Sequence, residues 1–146
     1  MVYESLLSKL AQNELSKEYK TLLELKELID KGLLDYIAMD IKNIFSKYEL
    51  TTGKKIKSNV IIDSINILKK KQVDYEFRTT LVKEFHSKED IIEICKIIDD
   101  SKYFLQNFKN GDSVLDKSLH GFEEDELKRI FEELKKEFPT LELRGI

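Results

Sequence analysis

The sequence holds one cysteine, Cys95, one proline, Pro139, five glycines and two histidines among 146 residues. A lone thiol excludes an intramolecular disulfide and a multi-thiolate metal site built from this chain, and no metal-ligating set is assigned. With so little proline and glycine there is no stretch to propose as a flexible linker, and no repeated motif is evident. Apolar runs long enough to cross a bilayer are missing, as is a signal-peptide pattern at Met1. The expected setting is therefore the cytoplasm. A net charge of −3, with acids and bases interspersed, gives no electrostatic reason for nucleic acid or a membrane surface as partner. The length suits a single domain over residues 1–146 with one hydrophobic core.

What is present alternates between helical and extended patterns. Tyr3, Leu6, Leu7 and Leu10 recur at helical spacing, and Leu22, Leu25, Leu28 and Ile29 do so ahead of Gly32, a residue suited to a helix C′ position. Two N-terminal helices are predicted. Tyr36 to Ile41 reads as a strand buried on both faces, followed by a polar connection through Thr51-Thr52-Gly53. A helix from about Asn59 carries Ile61, Ile65 and Leu68 on one stripe. Val73 to Val82 reads as the second strand. Ser87 is a candidate N-cap for a helix whose first turn holds Glu89 and Asp90 and whose buried stripe is Ile91, Ile94, Cys95 and Ile98. Lys102 to Phe108 is the third strand, followed by a turn at Asn110-Gly111-Asp112. A helix from about Glu123 shows Leu127, Ile130, Phe131 and Leu134, with Lys135 and Lys136 at its negative end, and Thr140 to Arg144 is a fourth strand. Strands and helices in this alternation imply βαβ crossovers and a parallel sheet, hence an α/β fold; four strands are too few to close an eight-stranded barrel.

The chemistry gathers at the carboxyl ends of the strands, where open α/β sheets build their sites. Asp40 and Lys42 stand two residues apart and share a face. Glu76, Arg78 and Thr80 share a face of the second strand, and Gln106 and Asn107 close the third. Such a set suits a zwitterionic or polyhydroxylated small ligand. An internal ion-pair network, Asp40 with Arg78 and Glu76 with Lys42, accounts for the same residues equally well, since buried charges need partners in either case. Elsewhere the bland readings dominate. Cys95 sits on an apolar stripe and reads as a core thiol. His86 and His120 read as surface or capping residues, the Lys69-Lys70-Lys71 run as a solvated helix end, and Phe45 and Tyr48 as loop aromatics packed back on the sheet.

Taken together, the segments from Leu33 to Lys42, Phe45-Ser46-Lys47-Tyr48, Thr52-Gly53, Tyr75 to Thr80 and Leu105-Gln106-Asn107-Phe108 resemble the radical S-adenosylmethionine activating enzymes. The likeness is strongest to the activating protein of anaerobic ribonucleoside-triphosphate reductase, with the pyruvate formate-lyase activating enzyme as a near cousin. It covers roughly Leu22 to Ile146; residues 1–21 form a divergent helical segment. The resemblance implies a partial (β/α) barrel of about four parallel strands with flanking helices, the carboxy-terminal half of the family's barrel. It also implies that Asp40, Lys42, Arg78, Gln106 and Asn107 frame S-adenosylmethionine. In the family a CxxxCxxC loop binds a [4Fe-4S] cluster that reduces the sulfonium, and the resulting 5′-deoxyadenosyl radical takes a glycine hydrogen from a partner reductase. This sequence holds none of those cysteines, so it cannot bind the cluster alone and no catalytic residue is assigned. The implied partners are an anaerobic reductase or a cluster-bearing half. A degenerate, non-enzymatic half-barrel with a structural or interaction role is the alternative. In either case the Tyr36 to Ile41 strand is an open edge in want of cover, supplied by the N-terminal helices or by a second copy in a homodimer.

Overall fold

A computed structural model describes residues 17–55, 57–111 and 116–145. The helix predicted around Tyr3 to Leu10 and the Asp112 end of the turn lie outside the described residues. In chain order the elements are α1 (Lys17–Asp30), β1 (Tyr36–Asp40), a 3-10 turn (Phe45–Lys47), α2 (Tyr48–Thr52), α3 (Ser58–Lys69), β2 (Asp74–Leu81), α4 (Lys88–Ile98), β3 (Tyr103–Asn107), α5 (Glu124–Glu137) and β4 (Leu141–Arg144). The strands form one sheet in the order β1-β2-β3-β4. The β2–β3 and β3–β4 pairs are parallel, with Arg78, Phe104 and Glu142 in one cross-strand row and Thr80, Gln106 and Arg144 in the next. The expected parallel α/β sheet with flanking helices is what forms.

The described residues group into two compact units. The first contains α1 and α3. Leu22, Leu23 and Ile29 of α1 and Ile61, Ile65, Ile67 and Leu68 of α3 are buried. Each such side chain contributes on the order of 1.5–3 kcal/mol relative to its exposed state. Helix α1 ends as Gly32 predicts. Gly32 takes φ of +67°, its N–H donates to Ile29 O, and the Leu33 N–H donates to Leu28 O, the paired closure that satisfies orphan carbonyls at a helix end.

The second unit spans residues 38–55 and 76–145 and holds the sheet's carboxyl ends. Alternation along the strands decides its core. Phe77, Thr79 and Leu81 of β2, Tyr103 and Leu105 of β3 and Leu141 of β4 are buried, together with Ile91, Ile94, Cys95 and Ile98 of α4 and Leu127 and Leu134 of α5. Ile130 and Phe131 are only half-buried. The other strand face differs from expectation: Tyr36, Ala38 and Asp40 of β1 are exposed. A strand is buried on both faces only when layers cover both, and among the described residues none covers this one. The Thr51-Thr52-Gly53 connection is likewise not a loop. Tyr48–Thr52 is helical, and Gly53, at φ of +73°, caps it by donating its N–H to Glu49 O. No described helix is long and apolar enough to cross a membrane.

Candidate functional site

Strand β1 ends at Asp40, and the residues after it are held by main-chain bonds. The Ile41 N–H donates to Arg78 O at 2.7 Å, which sets Asp40 beside Arg78 on the exposed face. Asp40 then bridges two cations, accepting from Lys42 Nζ at 3.2 Å through Oδ2 and from Arg78 Nε at 3.1 Å through Oδ1. About half of each of the Asp40 and Lys42 side chains remains solvent-accessible. Three of the residues picked out by spacing are thus a single ion-pair cluster where the end of β1 meets the middle of β2.

The remaining two separate. Gln106 is exposed and in register with Thr80, on the strand face that carries Arg78. Asn107 points the other way. Its Nδ2 donates to Phe122 O at 2.8 Å and its Oδ1 accepts from Phe122 N–H at 2.9 Å, so its amide serves to clamp the segment before α5. Gly121 lies against that clamp so closely that a Cβ there would clash with Phe108 O and with the Asn107 amide. The Glu76–Lys42 pair does not form. Glu76, largely buried, instead pairs with Arg144 at 3.2 Å, because Arg144 lies on the same face and stacks its guanidinium 3.8 Å above the Phe104 ring.

Behind the exposed cluster lies a buried polar layer that spacing did not reveal. His86 is buried, not a surface residue. Its Nε2 lies 2.7 Å from Lys42 O and its Nδ1 accepts from the Val82 N–H at 3.0 Å. Asn43 is fully buried; its Nδ2 donates to Thr51 Oγ1 and Phe85 O, and its Oδ1 accepts from Ile44 N–H. Tyr48 is buried too, as a packed-back aromatic should be, and its hydroxyl accepts from the Lys42 N–H at 3.1 Å. Burial pushes the Tyr48 phenol above its ordinary value, with the Asp40 charge adding to the rise and the Lys42 N–H opposing it. Below these, Tyr103 Oη donates to Thr79 Oγ1 at 2.5 Å, and Thr79 Oγ1 donates to Ile41 O at 2.7 Å. The sequence signal for this layer was weak: a short polar stretch after a strand reads as loop whether it is buried or not.

Two other groups bear on chemistry. Burial drives the Cys95 thiol up to about 12, with Glu137 adding to it, so it stays protonated and inert at neutral pH. The predicted N-cap is complete: Ser87 Oγ accepts from the Asp90 N–H and Asp90 Oδ2 accepts from the Ser87 N–H, a capping box. Asp90 Oδ2 also takes Lys47 Nζ at 2.7 Å. Burial alone would raise the Asp90 carboxyl, but the bonds from Lys47 and Ser87 outweigh it and hold the group below its ordinary value. Among the described residues no group of three or more His, Cys, Asp or Glu side chains is arranged to hold a metal ion.

No family model matches the sequence. A protein of Methanocaldococcus jannaschii that carries the name glycyl-radical enzyme activating enzyme is 35% identical over 130 residues, a match that takes in 84% of this chain and 54% of that protein. The chain therefore spans about half the length of its relative. A crystal structure of a domain of pyruvate-formate lyase-activating enzyme from Bacteroides vulgatus superposes with a TM-score of 0.64, covering 86% of this chain and 78% of that one at 13% identity; at that identity the likeness speaks for the fold alone. The chain is, over most of its length, a homologue of part of a glycyl-radical enzyme activating enzyme, the relationship its strand motifs pointed to.

Proposed function

We propose that this chain is the carboxy-terminal, cofactor-framing part of a radical S-adenosylmethionine activating enzyme, of the kind that serves anaerobic ribonucleotide reductase. The observation that carries the reading is the Asp40 bridge to Lys42 and Arg78, solvent-accessible where the end of β1 meets the middle of β2, within a chain homologous to an activating enzyme. The donor set fits the cofactor. Lys42 and Arg78 supply the cations that a methionyl carboxylate needs, Asp40 supplies an acceptor for ribose hydroxyls or the amino group, and Gln106 offers an amide for the nucleoside. Bound there, S-adenosylmethionine would supply the sulfonium whose cleavage yields an adenosyl radical. The chain's own residues bind and orient it and keep its charges paired.

The iron–sulfur cluster does not fit these residues. A [4Fe-4S] centre takes thiolates, and the single thiol of this sequence is buried on α4 with its proton held tightly. In our reading hydrogen abstraction requires a cluster-bearing segment besides these residues, and the substrate is a glycyl-radical reductase. Two copies of the chain pair through the exposed β1 region when that segment is absent.

One observation favours the alternative, a half-barrel with a non-enzymatic interaction role: Asp40, Lys42 and Arg78 already satisfy one another, as do Glu76 and Arg144. Isothermal titration with S-adenosylmethionine from micromolar to millimolar separates the two. Saturable binding is expected in the wild type. Lys42→Ala and Arg78→Ala each remove a charge-assisted bond worth about 1.5–3 kcal/mol, so each should weaken it roughly tenfold or more. Absence of saturation at millimolar ligand, identical in all three proteins, would leave the non-enzymatic reading standing.

A further inference from the structure

The residues after β1 are fixed more completely than a strand end requires. Ile41 has its N–H on Arg78 O and its carbonyl on Thr79 Oγ1. Lys42 has its N–H on Tyr48 Oη and its carbonyl against His86 Nε2. Asn43 accepts the next N–H, that of Ile44, on its own side chain. Three successive residues are thus held by partners of which all but Arg78 are buried, although Lys42 ends in solvent.

The two partners of Lys42 are chemically specific. A carbonyl oxygen accepts and never donates, so His86 Nε2 must carry the proton. At the other ring nitrogen, His86 Nδ1 faces both main-chain groups of Val82, the N–H at 3.0 Å and the carbonyl oxygen at 3.2 Å. The ring thus spans from the residue after β2 to the Lys42 peptide as a strut bonded at both nitrogens. On the other side of the peptide, Tyr48 is placed by the 3-10 turn and α2. Lys47 from the same turn is tied to Asp90 at the start of α4, and Thr51, one turn on, takes the Asn43 amide. The short helix that follows β1 therefore anchors the phenol against the Lys42 N–H. Burial raises the Tyr48 phenol above its ordinary value.

We propose that Tyr48 and His86 are positioning residues: by holding the Lys42 peptide from both sides, they aim the Lys42 side chain at Asp40 and so fix the cluster that receives the cofactor. Neither touches the ligand; both act through Lys42. The inference rests on the cofactor reading given above for its consequence in binding, but the clamp itself is a property of the free protein. A long lysine side chain loses considerable rotamer freedom when it is held to one direction. Fixing the peptide from which it springs removes backbone freedom beforehand, so less is lost on binding.

The test has a ligand-free arm and a ligand arm. Tyr48→Phe removes one hydroxyl, His86→Phe fills the ring's space without either bond, and His86→Gln restores an acceptor and a donor at similar separation. In the free protein, amide hydrogen exchange at Lys42 should quicken about tenfold in Tyr48→Phe, without a matching rise in the cores of β2 and β3. His86→Phe should loosen the segment Lys42 to Ile44, and His86→Gln should return it to the wild-type rate. With S-adenosylmethionine, Tyr48→Phe and His86→Phe should bind about tenfold more weakly, His86→Gln near the wild type, and Tyr48→Phe should add no further loss in a Lys42→Ala background. Unchanged exchange at residues 42–44 in Tyr48→Phe, or an undiminished Tyr48→Phe effect on binding once Lys42 is gone, overturns the inference. Should the wild type bind no S-adenosylmethionine, the cofactor reading fails and the exchange arm alone decides whether the clamp exists. Should His86→Phe not fold, Tyr48→Phe carries both arms.

Discussion

Asn43 has no contact with solvent, yet its side chain makes three hydrogen bonds, to the next peptide, to Thr51 and to the distant Phe85 carbonyl. Replacing it with alanine leaves a buried N–H and a buried carbonyl to find other partners, and an unsatisfied buried group costs about 1–3 kcal/mol. Asn43→Ala should therefore lower the unfolding free energy by roughly 2–4 kcal/mol, read as a shift in the urea midpoint with little change in slope. Asn43→Asp should do at least as badly, because it sets an acceptor against the Phe85 carbonyl. Sequence reading reached the exposed partners of this region and missed the buried ones. Asp40, Lys42 and Arg78 declare themselves by charge and by a spacing of two. Asn43 and His86 do not, since an isolated polar residue beside a strand has the same look whether it faces water or three buried main-chain groups. The same limit explains the Glu76 partner: alternation places Glu76 on a face, but only the β3–β4 register brings Arg144 to it instead of Lys42.

At the scale of elements, α4 shows how local rules and tertiary contact combine. Ser87 and the acids of the first turn were legible because N-capping is a short-range demand of the helix itself. The reach of Lys47 to Asp90 was not, for it joins the turn after β1 to the start of a helix 43 residues on. That contact makes stability depend on acid. Asp90 is held below its ordinary value of 3.8 by Lys47 and Ser87 against the opposing effect of burial. A carboxylate with a lowered folded pKa binds fewer protons folded than unfolded, so its contribution is complete above the unfolded value and lost as pH falls through the folded one. The urea midpoint should therefore fall below about pH 4, and in Asp90→Asn that part of the fall should vanish while stability near pH 7 is lower throughout. Ser87→Ala, which removes the bond that Ser87 Oγ accepts from the Asp90 N–H, should cost about 0.5–2 kcal/mol. The turn through Thr51-Thr52-Gly53 escaped sequence reading for the opposite reason. A five-residue helix is too short for a hydrophobic stripe and is held by its neighbours, through Asn43 and Tyr48, more than by its own propensity.

At the scale of the whole molecule, the alternating pattern of strands and helices was enough to give the parallel sheet, because periods of 2 and 3.6 residues are set by backbone geometry. It did not give the exposure of one sheet face, which depends on what else packs there. Among the described residues β1 stands at the edge of the sheet, with Tyr36 at 47% exposure and with Ala38 and Asp40 open on the same face. An edge strand offers unpaired main-chain groups to another chain, and native proteins blunt such edges with charge or cover them. Asp40 supplies one charge, but Tyr36 and Ala38 supply none. We propose from the exposure of Ala38 and Asp40 that two copies associate through this region, with a two-fold pairing as the simplest closed arrangement. Sedimentation or light scattering across micromolar to millimolar protein should show a monomer–dimer equilibrium. Ala38→Lys, which adds a charge to the exposed face without touching the buried side of β1, should shift that equilibrium toward monomer by about tenfold or more. A monomer at every concentration, in wild type and Ala38→Lys alike, would mean that the open edge is covered from within this chain, and the pairing in our reading would have to be given up.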